Sequence, residues 1–281
     1  MYSAQITRRH KGALVILIDR SGSMAEKVVF EGATLTKAEV LSECVNSLLE
    51  ELINRCYREY YVGDYFDVAI VGYSAERAEK LLGGGFCSIA ELDRMNVPVS
   101  VKLRTRRLPT GERFDTLIER RQWVAPVADG RTPMGDALRV ARRLCLSWCR
   151  KHPQSLPPIV INITDGEVTD TTTDKVRTLA ARLREVGTED GNVLLINIHL
   201  ADRQGFATTS VHFPSESEPL PEGRCSQLLY DISSTLPDFY NNSIEALHCG
   251  TPPFRAICYN SPIEDLVGLL AIGSSALGQM L

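Results

Sequence analysis

The sequence predicts an α/β protein with a doubly wound, mostly parallel central sheet and helices on both faces. Short, nearly continuous apolar runs recur at 13–18, 65–74, 158–164 and 193–200, the pattern of strands covered on both sides. Segments with apolar residues at helical spacing separate them, and strand–helix alternation is how crossover helices build a parallel sheet. The chain has 281 residues and a hydrophobic fraction of 44 %, enough for a single domain over 1–281 that carries insertions.

The elements follow in order. Ala13-Leu14-Val15-Ile16-Leu17-Ile18 makes a first buried strand that ends at Asp19. Thr36-Lys37-Ala38-Glu39 has the form of a capping box. Leu41, Val45, Leu48, Leu52 and Ile53 then recur at helical spacing, which predicts an amphipathic helix over 37–60. Residues 65–74 form a second strand. The helix over 134–151 sets Met134, Ala137, Leu138, Ala141, Cys145, Trp148 and Cys149 on one face and Arg139, Arg142, Arg143 and Arg150 on the other; that stripe is core packing rather than a cofactor box. A third strand, 158–164, leads into Asp165, and a fourth spans 193–200 with a helix at 174–187 between them. Residues 225–247 read as partly helical, 254–259 as a last strand and 262–280 as a closing helix.

Two regions exceed this plan. The insertion over 75–122 opens with Gly83-Gly84-Gly85 and contains Val97, Val99, Val101 and Leu103 alternating with polar or basic residues, the period of a half-exposed strand. Between Lys102 and Arg121 seven basic residues face three acidic ones. That density raises a nucleic-acid surface as an alternative reading, but the sparse aromatic interleaving favours a solvated face. The second insertion, 201–223, is rich in Ser, Pro and Glu and predicts a long loop beside the carboxyl ends of the strands.

Net charge is −4, which gives no global attraction to nucleic acid. Residues 1–12 are polar and basic, and the apolar run after them is too short for a secretory leader. Residues 266–281 carry no charge, which raises a tail-anchored membrane adaptor; they contain Gly268, Gly273, Ser274, Ser275 and Gln279, a short and polar composition for a span of about 20 apolar residues. The eight cysteines are scattered without a CxxC pair, which predicts reduced thiols in a cytoplasmic protein. Cys145 and Cys149 lack partners at zinc-site spacing.

The chemistry concentrates in Asp19-Arg20-Ser21-Gly22-Ser23, directly after the first strand. One carboxylate and two hydroxyls at alternate positions can converge on one point, and small oxygen ligands suit Mg²⁺ or Mn²⁺, with Ca²⁺ less favoured. Thr132, in Arg131-Thr132-Pro133-Met134-Gly135, precedes a helix; Asp165 and Gly166 end another buried strand. Together Asp19, Ser21, Ser23, Thr132 and Asp165 resemble the metal-ion-dependent adhesion site of the von Willebrand factor A domain family, whose pattern is DxSxS, a distant Thr and a distant Asp. The resemblance implies that Ser21 and Ser23 bind the cation through their hydroxyls, that Thr132 does so directly or through water, and that Asp19 and Asp165 act largely through bound waters and hydrogen bonds. Arg20 is expected to point away from the ion.

By the same resemblance the chain is a stand-alone, intracellular adaptor that takes an Asp or Glu of a protein partner on the metal. Bacterial members of this kind work with MoxR-type AAA+ ATPases or with kinases and phosphatases in stress and defence modules. Catalysis is not expected. An Asp at a strand tip also resembles the nucleophile of haloacid-dehalogenase-type phosphotransferases, but their second Asp is here Ser21. There is no GxSxG, GxxxxGK[ST] or HExxH motif.

Overall fold

The computed structural model describes residues 2–30, 32–75, 77–107, 113–200, 210–216, 218–220, 224–245, 250–261 and 268, of which 102–107, 113–116, 118, 224, 225 and 243 are described by their backbone alone. Eight strands form the main sheet: β1 (Gly12–Asp19), β2 (Phe66–Ser74), β3 (Arg77–Lys80), β4 (Cys87–Ser88), β5 (Ile159–Thr164), β6 (Leu194–Leu200), β7 (Val211–His212) and β8 (Ile257–Ser261). Their order is β7-β8-β6-β5-β1-β2-β3, with β4 also paired to β2. β1, β2, β5, β6 and β8 run parallel, while β3, β4 and β7 add antiparallel edges.

Every residue of β1 is buried, and alternation sends its two faces into different cores. Leu14, Ile16 and Ile18 join the core beneath α1 (Lys37–Arg55) and α2 (Ile89–Arg94). Ala13, Val15 and Leu17 join that beneath α3 (Met134–Lys151), α4 (Thr173–Arg184) and α5 (Arg224–Ile232). The sheet is therefore doubly wound, as the sequence predicts. The chain leaves β1 toward β2 on one side and returns past it to β5 on the other, so the strand order reverses between β1 and β5. Ligand sites in open α/β sheets form outside the carboxyl ends at such a reversal, where Asp19 and Asp165 lie.

A polar chain crosses the second core. The Tyr73 hydroxyl donates to Asn162 Oδ1 at 2.9 Å, Asn162 Nδ2 to Asn197 Oδ1 at 3.0 Å, and Asn197 Nδ2 to Ser233 Oγ at 2.8 Å. It links β2, β5 and β6 to the residue just after α5, and each buried polar group in it finds a partner.

Several element boundaries differ from expectation. α1 ends at Arg55, not near 60, because Tyr57–Arg58 turns back antiparallel onto Tyr61–Val62. α4 stops at Arg184 because Gly187–Thr188 pairs with Gly191–Asn192. The last strand starts later, at Ile257, since Phe254 and Arg255 bridge instead to Ser215 and Thr235. Residues 75–122 hold more than the single predicted strand. They form β3, β4, α2 and a hairpin in which Val99–Arg107 pairs with Arg113–Arg121. Val99, Val101 and Leu117 are exposed on that hairpin, and most of the basic side chains of 102–121 lie outside the described residues. Residues 225–247 are helical in pieces: α5, a short turn at Asp238–Tyr240 and a helix at Asn241–Glu245. Of the loop 201–223 only 210–216 and 218–220 are described, and the closing helix at 262–280 lies outside the described residues except for Gly268. Among the described residues no helix is long and apolar enough to cross a membrane. Cys44, Cys56, Cys87, Cys145, Cys149 and Cys258 are buried.

Candidate functional site

Three loops meet at the carboxyl end of the sheet. The first follows β1. Asp19 is 1 % exposed and uses both oxygens: Oδ1 accepts the Ser21 backbone N–H at 2.9 Å and Oδ2 the Thr164 hydroxyl at 2.6 Å. Burial pushes its carboxyl up to about 6, against the lowering effect of the hydrogen bonds from Ser21 and Thr164. Ser23 donates to Asp165 Oδ1 at 2.6 Å, and its hydroxyl lies 3.0 Å from that of Ser21.

The second loop, 125–133, is held to the first by paired backbone bonds: Asp129 N–H to the Arg20 carbonyl at 2.8 Å, and Gly22 N–H to the Gly130 carbonyl at 3.0 Å. Gly130 has φ +72°, and a Cβ there would meet the Ala75 backbone at 2.6 Å, so both conformation and space require glycine. Upstream, the buried Asn46 of α1 fixes where this loop begins. Its Oδ1 accepts the N–H groups of Trp123 and Val124, both at 3.0 Å, and its Nδ2 donates to the Val124 carbonyl at 3.0 Å.

The third loop follows β5. Thr132 and Thr169 exchange two bonds: Thr132 N–H donates to Thr169 Oγ1 at 2.9 Å, and Thr169 N–H to the Thr132 carbonyl at 3.1 Å. Asp170 accepts the N–H groups of Gly135 and Asp136 at 3.1 and 2.9 Å, satisfying the open amino end of α3.

At the centre lies Gly166. A Cβ at this position would sit 3.3 Å from Thr132 Oγ1, 3.6 Å from Ser23 Oγ and 4.0 Å from Asp19 Oδ2. The glycine, on the third loop, thus leaves open a space edged by oxygens from the other two. Asp19, Ser21, Ser23, Thr132 and Asp165 are brought together by these contacts, whereas Arg20 packs its side chain over Gly72. The donor set is all oxygen and has only two carboxylates, a composition that suits a hard divalent cation. Among the described residues no three His, Cys, Asp or Glu side chains form a metal-holding group.

Two members of the site were not foreseen. Thr164, the last residue of β5, orients Asp19 and carries no motif. Lys37, the first residue of α1, has a side chain only 3 % exposed, with Nζ 3.1 Å from Asp165 Oδ2 and 2.5 Å from Glu26 Oε2. Burial alone would pull its pKa down, but Glu26 and Asp165 raise it above the ordinary lysine value. The capping box of Thr36 and Glu39, which the sequence did reveal, sets Lys37 at that spot. His199, next to last in β6, lies opposite Thr164 in register and stacks on Tyr259 at 4.5 Å.

No family model matches the chain, and no curated protein does. Solved structures do. A von Willebrand factor type A protein from Catenulispora acidiphila is 16 % identical over 96 % of this chain and 43 % of its own, with a TM-score of 0.49. Proximal thread matrix protein 1 from the mussel byssus is 14 % identical over 95 % of this chain and 48 % of its own, with a TM-score of 0.52. The vWF domain of the pilus tip protein Mfa5 from Porphyromonas gingivalis is 14 % identical over 57 % of this chain and 40 % of its own, with a TM-score of 0.36. The chain spans less than half the length of each, and the likeness to the mussel protein is one of fold.

Proposed function

We propose that this chain is a divalent-cation-dependent protein-binding module of the von Willebrand factor A type, which recognises a carboxylate on a protein partner. The observation that carries this reading is the convergence of the Asp19, Ser23 and Thr132 oxygens on the open space at Gly166, with Ser21 and Asp165 hydrogen-bonded to Ser23. Ser21, Ser23 and Thr132 would hold the cation, with Asp19 and Asp165 orienting them and the surrounding water. Mg²⁺ or Mn²⁺ bound there supplies an electrophilic position for an anionic oxygen.

The chain's own residues do the rest. Asp19 fixes the Ser21 backbone, Asp165 fixes the Ser23 hydroxyl, and the Thr132–Thr169 and Gly22–Gly130 bonds hold the three loops in one arrangement. Such a site binds rather than catalyses, and it fits a cytoplasmic adaptor that docks an acidic side chain of an ATPase, kinase or phosphatase partner. The test is affinity capture from the native host lysate in Mg²⁺ and in EDTA, with Asp165→Ala as control. A partner lost both in EDTA and with the variant supports the reading; one retained in both moves recognition away from this site.

A further inference from the structure

Lys37 is the least expected residue of the site. Its ammonium is buried at the amino end of α1, where the helix dipole disfavours a cation, and taking a lysine out of water is unfavourable unless it is paired. Its partners are two carboxylates, Glu26 Oε2 at 2.5 Å beside the site and Asp165 Oδ2 within it at 3.1 Å. The pairing is built from the backbone up. The Lys37 N–H donates to the Glu26 carbonyl at 2.9 Å, closing the antiparallel excursion Lys27–Phe30/Ala33–Thr36 between them. Asp165 is thereby shared, with Oδ1 on the Ser23 hydroxyl and Oδ2 on the ammonium.

Resting on the reading above, we infer that Lys37 is a built-in counter-cation that weakens binding of the divalent ion alone and strengthens capture of the anionic ligand. Charge balance gives the reason. Asp19, Glu26 and Asp165 against Lys37 leave two negative charges, which a divalent ion neutralises, so an incoming carboxylate meets no net repulsion. Without the ammonium, three negative charges would hold the ion more tightly and leave one to oppose the ligand. A site of this kind stays weakly loaded until metal and partner arrive together, which couples the two binding events.

The predicted signature is a pair of opposite effects. Mn²⁺ is titrated into the full chain and followed by water-proton relaxation; acetate is then titrated into the Mn²⁺-loaded protein as the carboxylate probe. In Lys37→Met, Mn²⁺ should bind about tenfold more tightly or better, and acetate should displace metal-bound water about tenfold less readily. Lys37→Arg, which keeps the charge, should stay near wild type in both, and Lys37→Gln provides a polar neutral variant should Lys37→Met fail to fold. Equal or weaker Mn²⁺ binding in a folded neutral variant overturns the inference while leaving the metal reading intact. Parallel loss of Mn²⁺ and acetate binding would make Lys37 a purely structural residue, which also overturns it. Absence of Mn²⁺ binding by the wild-type chain would remove the metal reading itself.

Discussion

Asp19→Asn is expected to stabilise the metal-free protein while abolishing its response to metal. The side chain is buried and its carboxyl is raised from 3.8 to about 6. For an acid whose folded pKa lies above its unfolded one, the folded state holds the proton longer. Stability is therefore undiminished below pH 4, falls as pH climbs through the interval to 6, and stays low above it. A displacement of about two pH units corresponds to roughly 3 kcal/mol. Asparagine removes that charge and keeps an oxygen for the Ser21 N–H. Its amide would face the Thr164 hydroxyl, which can turn to donate to the Gly166 carbonyl 3.3 Å away, for a loss of about 1 kcal/mol. The variant should thus gain about 1–3 kcal/mol in EDTA at pH 7.5, measured by urea unfolding followed by circular dichroism, and the gain should vanish near pH 4. Adding Mg²⁺ at about a hundred times its dissociation constant should stabilise the wild type by roughly 2.7 kcal/mol and the variant hardly at all. A variant less stable than wild type in EDTA, or a difference that does not change with pH, would refute the account of Asp19 as a carboxylate whose burial is offset by a cation.

Gly130→Ala should destabilise by about 2 kcal/mol or more, since the residue has φ +72° and its Cβ would lie 2.6 Å from the Ala75 backbone; thermal unfolding checks this, and an unchanged melting temperature would mean that the loop is free to shift. Asn197→Ala should cost about 2–4 kcal/mol, because it strips a partner from both Asn162 and Ser233 in the core; a loss under about 1 kcal/mol in urea unfolding would show that this polar chain is not a stabilising unit.

Much of the fold was legible because the strongest local signals agreed with the tertiary demand. β1, β2, β5 and β6 are buried along nearly their whole lengths, so continuous apolar runs marked them, and the period of α3 matched the face it buries. Thr36 and Glu39 marked the start of α1 in sequence and form the capping box in the structure. What the sequence hid were chain reversals that depend on pairing rather than composition. The Tyr57–Arg58/Tyr61–Val62 turn lies inside a plausible continuation of α1, with Glu59 at φ 24°, and no Gly or Pro announces it at that point. α2 has a readable capping box in Ser88 and Glu91, but at Ile89–Arg94 it is too short for hydrophobic periodicity to register.

The site divides along the same line. Asp19, Ser21 and Ser23 are visible because their spacing is local, and Thr132 and Asp165 because each adjoins a strong element. Thr164 and Asp170 act through hydrogen bonds to residues far away in the chain, which leave no pattern in sequence. Lys37 is the sharpest case. At the first position of an amphipathic helix a lysine reads as a solvated charge, and only the folded chain shows it enclosed by Glu26 and Asp165. Its burial alters what the motif means. The DxSxS pattern with its distant Thr and Asp specifies oxygen ligands, but the electrophilicity of an ion held there depends on every charge nearby. On the inference drawn for Lys37, a site whose Asp165 shares an ammonium with Glu26 would differ in ligand affinity from one with the same five residues and no lysine. If Lys37 acts as inferred, motif residues define where a ligand oxygen would sit, whereas the strength of the site rests on a residue that the motif does not contain.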